Sequence, residues 1–214
     1  MCGFVGFTNY INNSNIVLEN MMNKIIHRGP DSGGTYIDDG IALGFRRLSI
    51  IDLAQGDQPI LNEDGSKVLL FNGEIYNFQS IREKLIAAGH KFKTKTDSEV
   101  LLHGYEEYGK NLLNMLRGMF AFVIWDKNTK ELFGARDFFG IKPLYYSLSG
   151  KSFLFGSEIK SFLPHPHFKK EMNEDALENY LTFQYSPCNE TFFKNVFKLP
   201  AAHCFTYKDG NLKI

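Results

Sequence analysis

Cysteine is scarce in this chain. Its three cysteines, Cys2, Cys188 and Cys204, are an odd number with no metal-type spacing. That argues against a disulfide framework and for a reducing, cytoplasmic compartment, with Cys188 and Cys204 read as structural. Net charge is missing as well, since 24 acidic residues offset 24 basic ones. No broad basic face is therefore expected for nucleic acid or an anionic membrane. No apolar run is long enough to span a bilayer, and the short stretch 4–7 lacks the basic lead-in of a signal peptide. Repeats and low-complexity tracts are absent. The six histidines are scattered; the one close pair, His165-Pro166-His167, reads as a solvated loop, so no metal site is expected.

What the chain does have is aromatic residues, 20 Phe and 10 Tyr, which suit sheets packed face to face. A chain of 214 residues buries about 70% of its unfolded surface, enough for a core without covalent staples. Short apolar, β-rich runs recur at 4–7, 41–45, 68–71, 120–125, 131–135, 144–147 and 153–156, while helical periodicity covers 15–26, 78–88 and 98–108. Polar residues at 126–130 predict one hairpin and Ser149-Gly150 a second. Asn77 reads as a helix N-cap, and Gly89 and Gly109 as helix stops. Strands interspersed with a few helices, without regular βαβ alternation, make an α+β pattern. After Lys160 come a proline loop at 164–166, a helix over 173–183 and a strand over 203–207. The expected organisation is a core over 2–160 and a C-terminal part of the same domain over 161–214. The end at Ile214, without a closing element, reads as a piece of something longer.

Five segments carry chemistry. Removal of Met1 would leave Cys2 with a thiol and a free α-amine on one Cα. In model peptides that amine titrates at about 7.7–8.0 and the thiol at about 8.5, so the neutral amine can take the thiol proton, directly or through one water. One residue then supplies both nucleophile and base. Cysteine at position 2 can also be an accident, so the other segments decide. His27-Arg28-Gly29-Pro30-Asp31 reads locally as a helix stop. Arg46 and Arg47 end an apolar strand, where neighbours point to opposite faces. At most one can face the core, and it would need an anion such as a carboxylate; two solvated arginines are the competing reading. Asn72-Gly73 is either a type I′ turn or, since a helix follows instead of a strand, a pair of oxyanion donors. Asp97, at the start of a helix, reads locally as a cap.

Together these segments resemble the glutaminase domain of glutamine-hydrolysing asparagine synthetases, which are class II, N-terminal nucleophile amidotransferases. The resemblance covers essentially the whole chain. It rests on Met1-Cys2-Gly3, His27-Arg-Gly-Pro-Asp31, Arg47-Leu-Ser-Ile-Ile-Asp52, Gln58-Pro59, Asn72-Gly-Glu-Ile-Tyr-Asn77 and Asp97-Ser-Glu99. Further along it rests on Gly118-Met-Phe-Ala-Phe122, Arg136-Asp137, Gly140-Ile-Lys-Pro-Leu-Tyr145 and Ser157-Glu-Ile-Lys160.

The resemblance implies a four-layer αββα sandwich of the N-terminal nucleophile hydrolase type. It implies hydrolysis of L-glutamine to L-glutamate and ammonia, with Cys2 attacking the carboxamide and Asn72 and Gly73 stabilising the oxyanion. Arg47 would hold the substrate carboxylate and Glu74 and Asp97 its ammonium, with main-chain groups near Ile50 and Ile51 adding contacts. Arg28 would help to position Cys2. No metal and no cofactor are expected in this chain; ATP and Mg belong to a synthetase domain that would be its partner. A homodimer is among the assemblies the resemblance allows. Ser32-Gly33-Gly34-Thr35-Tyr36 lacks the Asp and final Ser of the synthetase Ser-Gly-Gly-x-Asp-Ser loop and reads as a decoy. Two other readings fit the same residues: the glutaminase half of another class II amidotransferase, and a non-catalytic glutamine-binding module. Aspartate is the default acceptor of the ammonia.

Overall fold

The structure, a computed structural model, describes residues 2–9, 11–48 and 56–214. Among these, twelve strands form two six-stranded sheets. In the first, the strands are β1 (Gly3–Thr8), β2 (Ser32–Ile37), β3 (Ile41–Arg47), β8 (Tyr145–Ser149), β9 (Ser152–Gly156) and β10 (Val196–Lys198), in the order β10-β8-β9-β1-β3-β2. The second contains β4 (Ile60–Leu61), β5 (Lys67–Ile75), β6 (Gly118–Asp126), β7 (Glu131–Arg136), β11 (Cys204–Lys208) and β12 (Asn211–Lys213), in the order β12-β11-β7-β6-β5-β4. The pairings between named strands are all antiparallel. The tight hairpin of β6 and β7 is closed by the Asp126 carboxylate, which accepts the N–H groups of Asn128 and Thr129.

The layers follow from side-chain alternation. Between the sheets lie Phe4, Phe45, Phe153, Phe155 and Phe205, all essentially inaccessible. Burying each contributes about 1.5–3 kcal/mol, before the entropy of ordering it is counted. The outer face of the first sheet packs Val5, Phe7 and Ala42 against Leu18, Met21 and Met22 of α1 (Ser14–Asn23). On the outer face of the second, Leu69, Phe71, Phe122 and Ile124 pack against α2 (Phe78–Ala87) and α3 (Ser98–Tyr108). Helix, sheet, sheet, helix is the αββα order the resemblance implied. A fourth helix, α4 (Glu174–Phe183), is capped by the Asn173 side chain, which accepts the Ala176 N–H. Among the described residues no helix is long and apolar enough to cross a membrane.

Four local expectations need correction. The first helix ends at Asn23, and Ile26–Arg28 forms a separate 3-10 turn. Asn77 does not cap α2: its side chain accepts the Arg117 N–H at 2.8 Å and donates to the Met115 carbonyl at 2.9 Å, tying the helix start to the following loop. Ser32–Ile37, absent from the expected strands, is a strand paired along its length with β3. His165 is not solvated but 2% exposed, its ring edge-on to Phe7. Burial, followed by the nearby His167, lowers its pKa to about 4.

Candidate active site

The parity of three strands assembles the site. On β5, Val68 and Leu70 face the space between the sheets, so Asn72 and Glu74 continue that inward row. On β3, Ile41, Leu43 and Phe45 face inward and bring Arg47 with them, whereas Arg46 turns outward to the Met22 carbonyl and Asn23. Phe4 is inward on β1, and Cys2, two residues earlier, packs against the same core. The four side chains meet at one end of the sandwich around a cavity of about 180 Å³. Gly73, Asp97 and Lys142 also line it.

Cys2 is held at both its backbone and its sulfur. Arg28 Nε donates to the Cys2 carbonyl at 2.9 Å, and Arg28 Nη1 donates to Glu158 at 3.0 Å. Burial of Glu158 works against its charge, but hydrogen bonds from Arg28, His27 and Lys160 hold its carboxyl below the usual range. The Leu48 N–H donates to Cys2 Sγ at 3.4 Å, and the thiol lies 3.6 Å from the Leu48 carbonyl oxygen as a donor.

The donors opposite Cys2 come from a strand edge. The Phe71 N–H and carbonyl are taken by the Gln58 side chain, at 2.6 and 3.0 Å, and the Ile75 N–H by Asp97 Oδ2 at 2.8 Å. Alternate N–H groups of a strand share a side, so the Gly73 N–H lies between these two and points away from β6. Glycine is required there, because a Cβ would stand 2.3 Å from the Met119 carbonyl oxygen. Beside it, Asn72 Nδ2 is buried with no hydrogen-bond partner among the described residues. Asn72-Gly73 is therefore strand interior and not a turn, its two donors available to the cavity.

Charge is arranged around the remainder. Arg47 is 6% exposed and already grips a carboxylate, that of the exposed Asp57, at 3.1 Å. Asp97 stands at the start of α3 but makes no side-chain capping bond, since its carboxylate is spent on Ile75. Burial pushes its pKa up, and the neighbouring Glu74 charge adds to the rise against the pull of the Ile75 N–H. Lys142 was not singled out from sequence; it is buried, and its ammonium is held below its usual range by burial and then by the Arg28 charge. Asp137, Cys2 and Glu74 pull the other way. Its tripeptide Ile-Lys-Pro gives no local sign that the lysine turns inward. Ile50 and Ile51 lie outside the described residues. The assembled groups offer one thiol nucleophile, two donors for a developing oxyanion, one carboxylate receptor and two carboxylates for a cation.

The whole chain, residues 1–214, matches the glutamine amidotransferase domain. It is 44% identical over 218 residues to glutamine-hydrolyzing asparagine synthetase 1 of Bacillus subtilis, a match covering 99% of this chain and 34% of that protein. It is 36% identical over 219 residues to glutamine-hydrolyzing asparagine synthetase 2 of Arabidopsis thaliana, covering 100% and 32%. The chain thus spans about a third of the length of these curated relatives. Among solved structures, glutamine phosphoribosylpyrophosphate amidotransferase from B. subtilis superposes with a TM-score of 0.70 at 21% identity, covering 99% of this chain and 48% of that one. The allosteric regulatory enzyme of purine biosynthesis gives 0.73 at 20%, with the same coverage. At such identity these two share the fold alone. With every residue inside the family match, the chain belongs to the glutamine amidotransferase domain family.

Proposed function

We propose that the chain hydrolyses L-glutamine to L-glutamate and ammonia, as the ammonia-supplying third of an asparagine synthetase-like enzyme. The observation that carries this reading is the buried, partnerless Asn72 Nδ2 on the cavity that Cys2 lines. A native fold tolerates such an orphan where a ligand pairs it. With Cys2 as the mature N-terminus, its α-amine takes the thiol proton and Sγ attacks the substrate carboxamide carbon. The oxyanion falls to Asn72 Nδ2 and the Gly73 N–H. On collapse the carboxamide nitrogen takes that proton from the α-ammonium and leaves as ammonia, and the γ-glutamyl thioester remains on Cys2. Water, deprotonated by the same amine, then hydrolyses the thioester to glutamate. Arg47 exchanges Asp57 for the substrate α-carboxylate, while Glu74 and Asp97 receive its ammonium. Lys142 lines the same cavity as the thiol.

The unit comprises a core over 2–160 and a C-terminal part over 161–214 that leads toward the synthetase. That remaining portion would use ATP and magnesium and amidate aspartate, as the relatives' names suggest. In this chain Ser32-Gly33-Gly34 begins a strand, so it offers no phosphate loop. Cys2→Ala tests the reading: glutamate release should vanish while calorimetry still detects glutamine binding. Hydrolysis that survives the substitution would sink it.

A further inference from the structure

Four side chains far apart in sequence converge on the helical face of the second sheet. Glu63 comes from the β4–β5 turn, His90 from the segment after α2, and His103 and Glu106 from one face of α3. One ligating atom from each lies within 4.8 Å of all the others. His103 Nδ1 is 3.1 Å from Glu106 Oε2 and 3.4 Å from Glu63 Oε2, close to the edge of a tetrahedron of about 2.0–2.1 Å bonds. Even at the full 4.8 Å spacing, each donor need move inward by less than about 1 Å to reach such bond lengths.

The surroundings hold these atoms in place. Each carboxylate has its second oxygen fixed by a hydrogen bond: Asn62 Nδ2 donates to Glu106 Oε1 at 2.6 Å, and the Lys91 N–H donates to Glu63 Oε1 at 3.1 Å. Asn62 is itself 3% exposed and bonded to Ser66. The His103 ring is 3% exposed and wedged edge-on against Phe92. His90 is delivered by the end of α2, where Gly89 at φ +103° lets the Gly89 N–H bond Ile86 and the His90 N–H bond Leu85. Its ring stands 5.1 Å from that of His103, and its other contact is the exposed Glu107 at 3.4 Å. The open side, at Glu63, gives solvent access.

We propose that Glu63, His90, His103 and Glu106 bind a divalent transition-metal ion of the zinc class. Two neutral imidazoles and two carboxylates sum to the charge such an ion neutralises, and their donor atoms suit it. The ion crosslinks the β4–β5 turn, the α2–α3 connection and α3, the helix whose first turn lines the cavity. Binding displaces any proton on His103 Nδ1.

The test uses chelator-stripped Cys2→Ala, Cys188→Ser protein, which removes the cavity thiol and the exposed thiol as competing ligands. Zn²⁺ alone is titrated by calorimetry and the bound metal counted after gel filtration. One ion per chain is expected, and zinc at about 100 times its dissociation constant should lower the unfolding equilibrium constant about 100-fold. His90→Ala and Glu63→Gln, both at solvent-accessible positions, should each weaken binding by about tenfold or more. Cobalt should give a tetrahedral visible spectrum without a thiolate charge-transfer band. Absence of saturable zinc binding would overturn the proposal, leaving the His103 ring as a hydrogen-bond partner of the two carboxylates. Undiminished affinity in the variant that combines His90→Ala with Glu63→Gln would overturn it as well.

Discussion

Asn72 offers the sharpest separation of catalysis from stability. Its Nδ2 is buried without a partner, a state that costs about 1–3 kcal/mol in the resting protein. The same donor becomes paired only as charge develops on the substrate carbonyl, where one such bond supplies roughly 2.7–4 kcal/mol, or 10²–10³ in kcat. Asn72→Ala should therefore lower kcat by that factor with KM little changed. Its stability should stay within about 1 kcal/mol of the parent, since the lost packing borders an open cavity and the orphan amide is gone. Asn72→Leu keeps the volume and removes the orphan, so it should raise stability by about 1–2 kcal/mol, or roughly 2–8 °C for a chain this long. Glutamate release kinetics and thermal unfolding on the same preparations decide. A loss above about 2 kcal/mol in both variants with modest effects on kcat would mean that the amide is structural. A rise in KM at constant kcat would place it on the ground-state substrate.

Three further outcomes follow from the charged groups. Arg47→Ala should raise KM about 10- to 100-fold with little change in kcat, and Arg47→Lys should rescue poorly because a point charge cannot replace the planar fork; the reverse pattern in steady-state kinetics would refute this. Because folding raises the Asp97 pKa, its stabilising contribution is complete below the unfolded value and is lost as pH rises through the folded one. Asp97→Asn should then stabilise the fold at neutral pH, with the gain vanishing in acid, while weakening glutamine binding; equal urea midpoints at both pH values would contradict it. For His165 the folded pKa is depressed, so stability present above about 6.5 drains away as pH falls toward 4, by up to on the order of 3 kcal/mol. His165→Phe cannot ionise and should flatten that slope in pH-dependent urea unfolding.

How far the sequence could be read depended on the range of the forces involved. The apolar run at 68–71 announced a strand, but burial on both faces hid its parity, so that only their motif, and not the alternation of the strand, assigned Asn72 and Glu74 to the site of Cys2. β2 escaped notice because Gly33-Gly34 weakens any strand signal, and the two-residue β4 because it is too short to show alternation. Asn77 and Asp97 obeyed local capping rules in sequence, yet long-range partners took their side chains. Cys2, Arg47 and Asp97 were legible because ordered motifs marked them. Glu63, His90 and His103 sit in no motif, and only a folded chain brings them together. Lys142 was masked by its own motif, where nothing local distinguishes an inward lysine from a solvated one.

The edge of β5 has one more consequence. An unpaired strand edge invites a foreign strand to dock, and proteins blunt such edges to prevent it. Here the guard is made of two side chains, Gln58 at Phe71 and Asp97 at Ile75, spaced so that only the amide between them is left uncovered. A polypeptide cannot dock on that gap without stripping both guards, whereas a single small carbonyl can reach it. Discrimination between an oligomer-forming strand and a free amino acid is thus written into the backbone itself, ahead of any contact with the ligand's charged end.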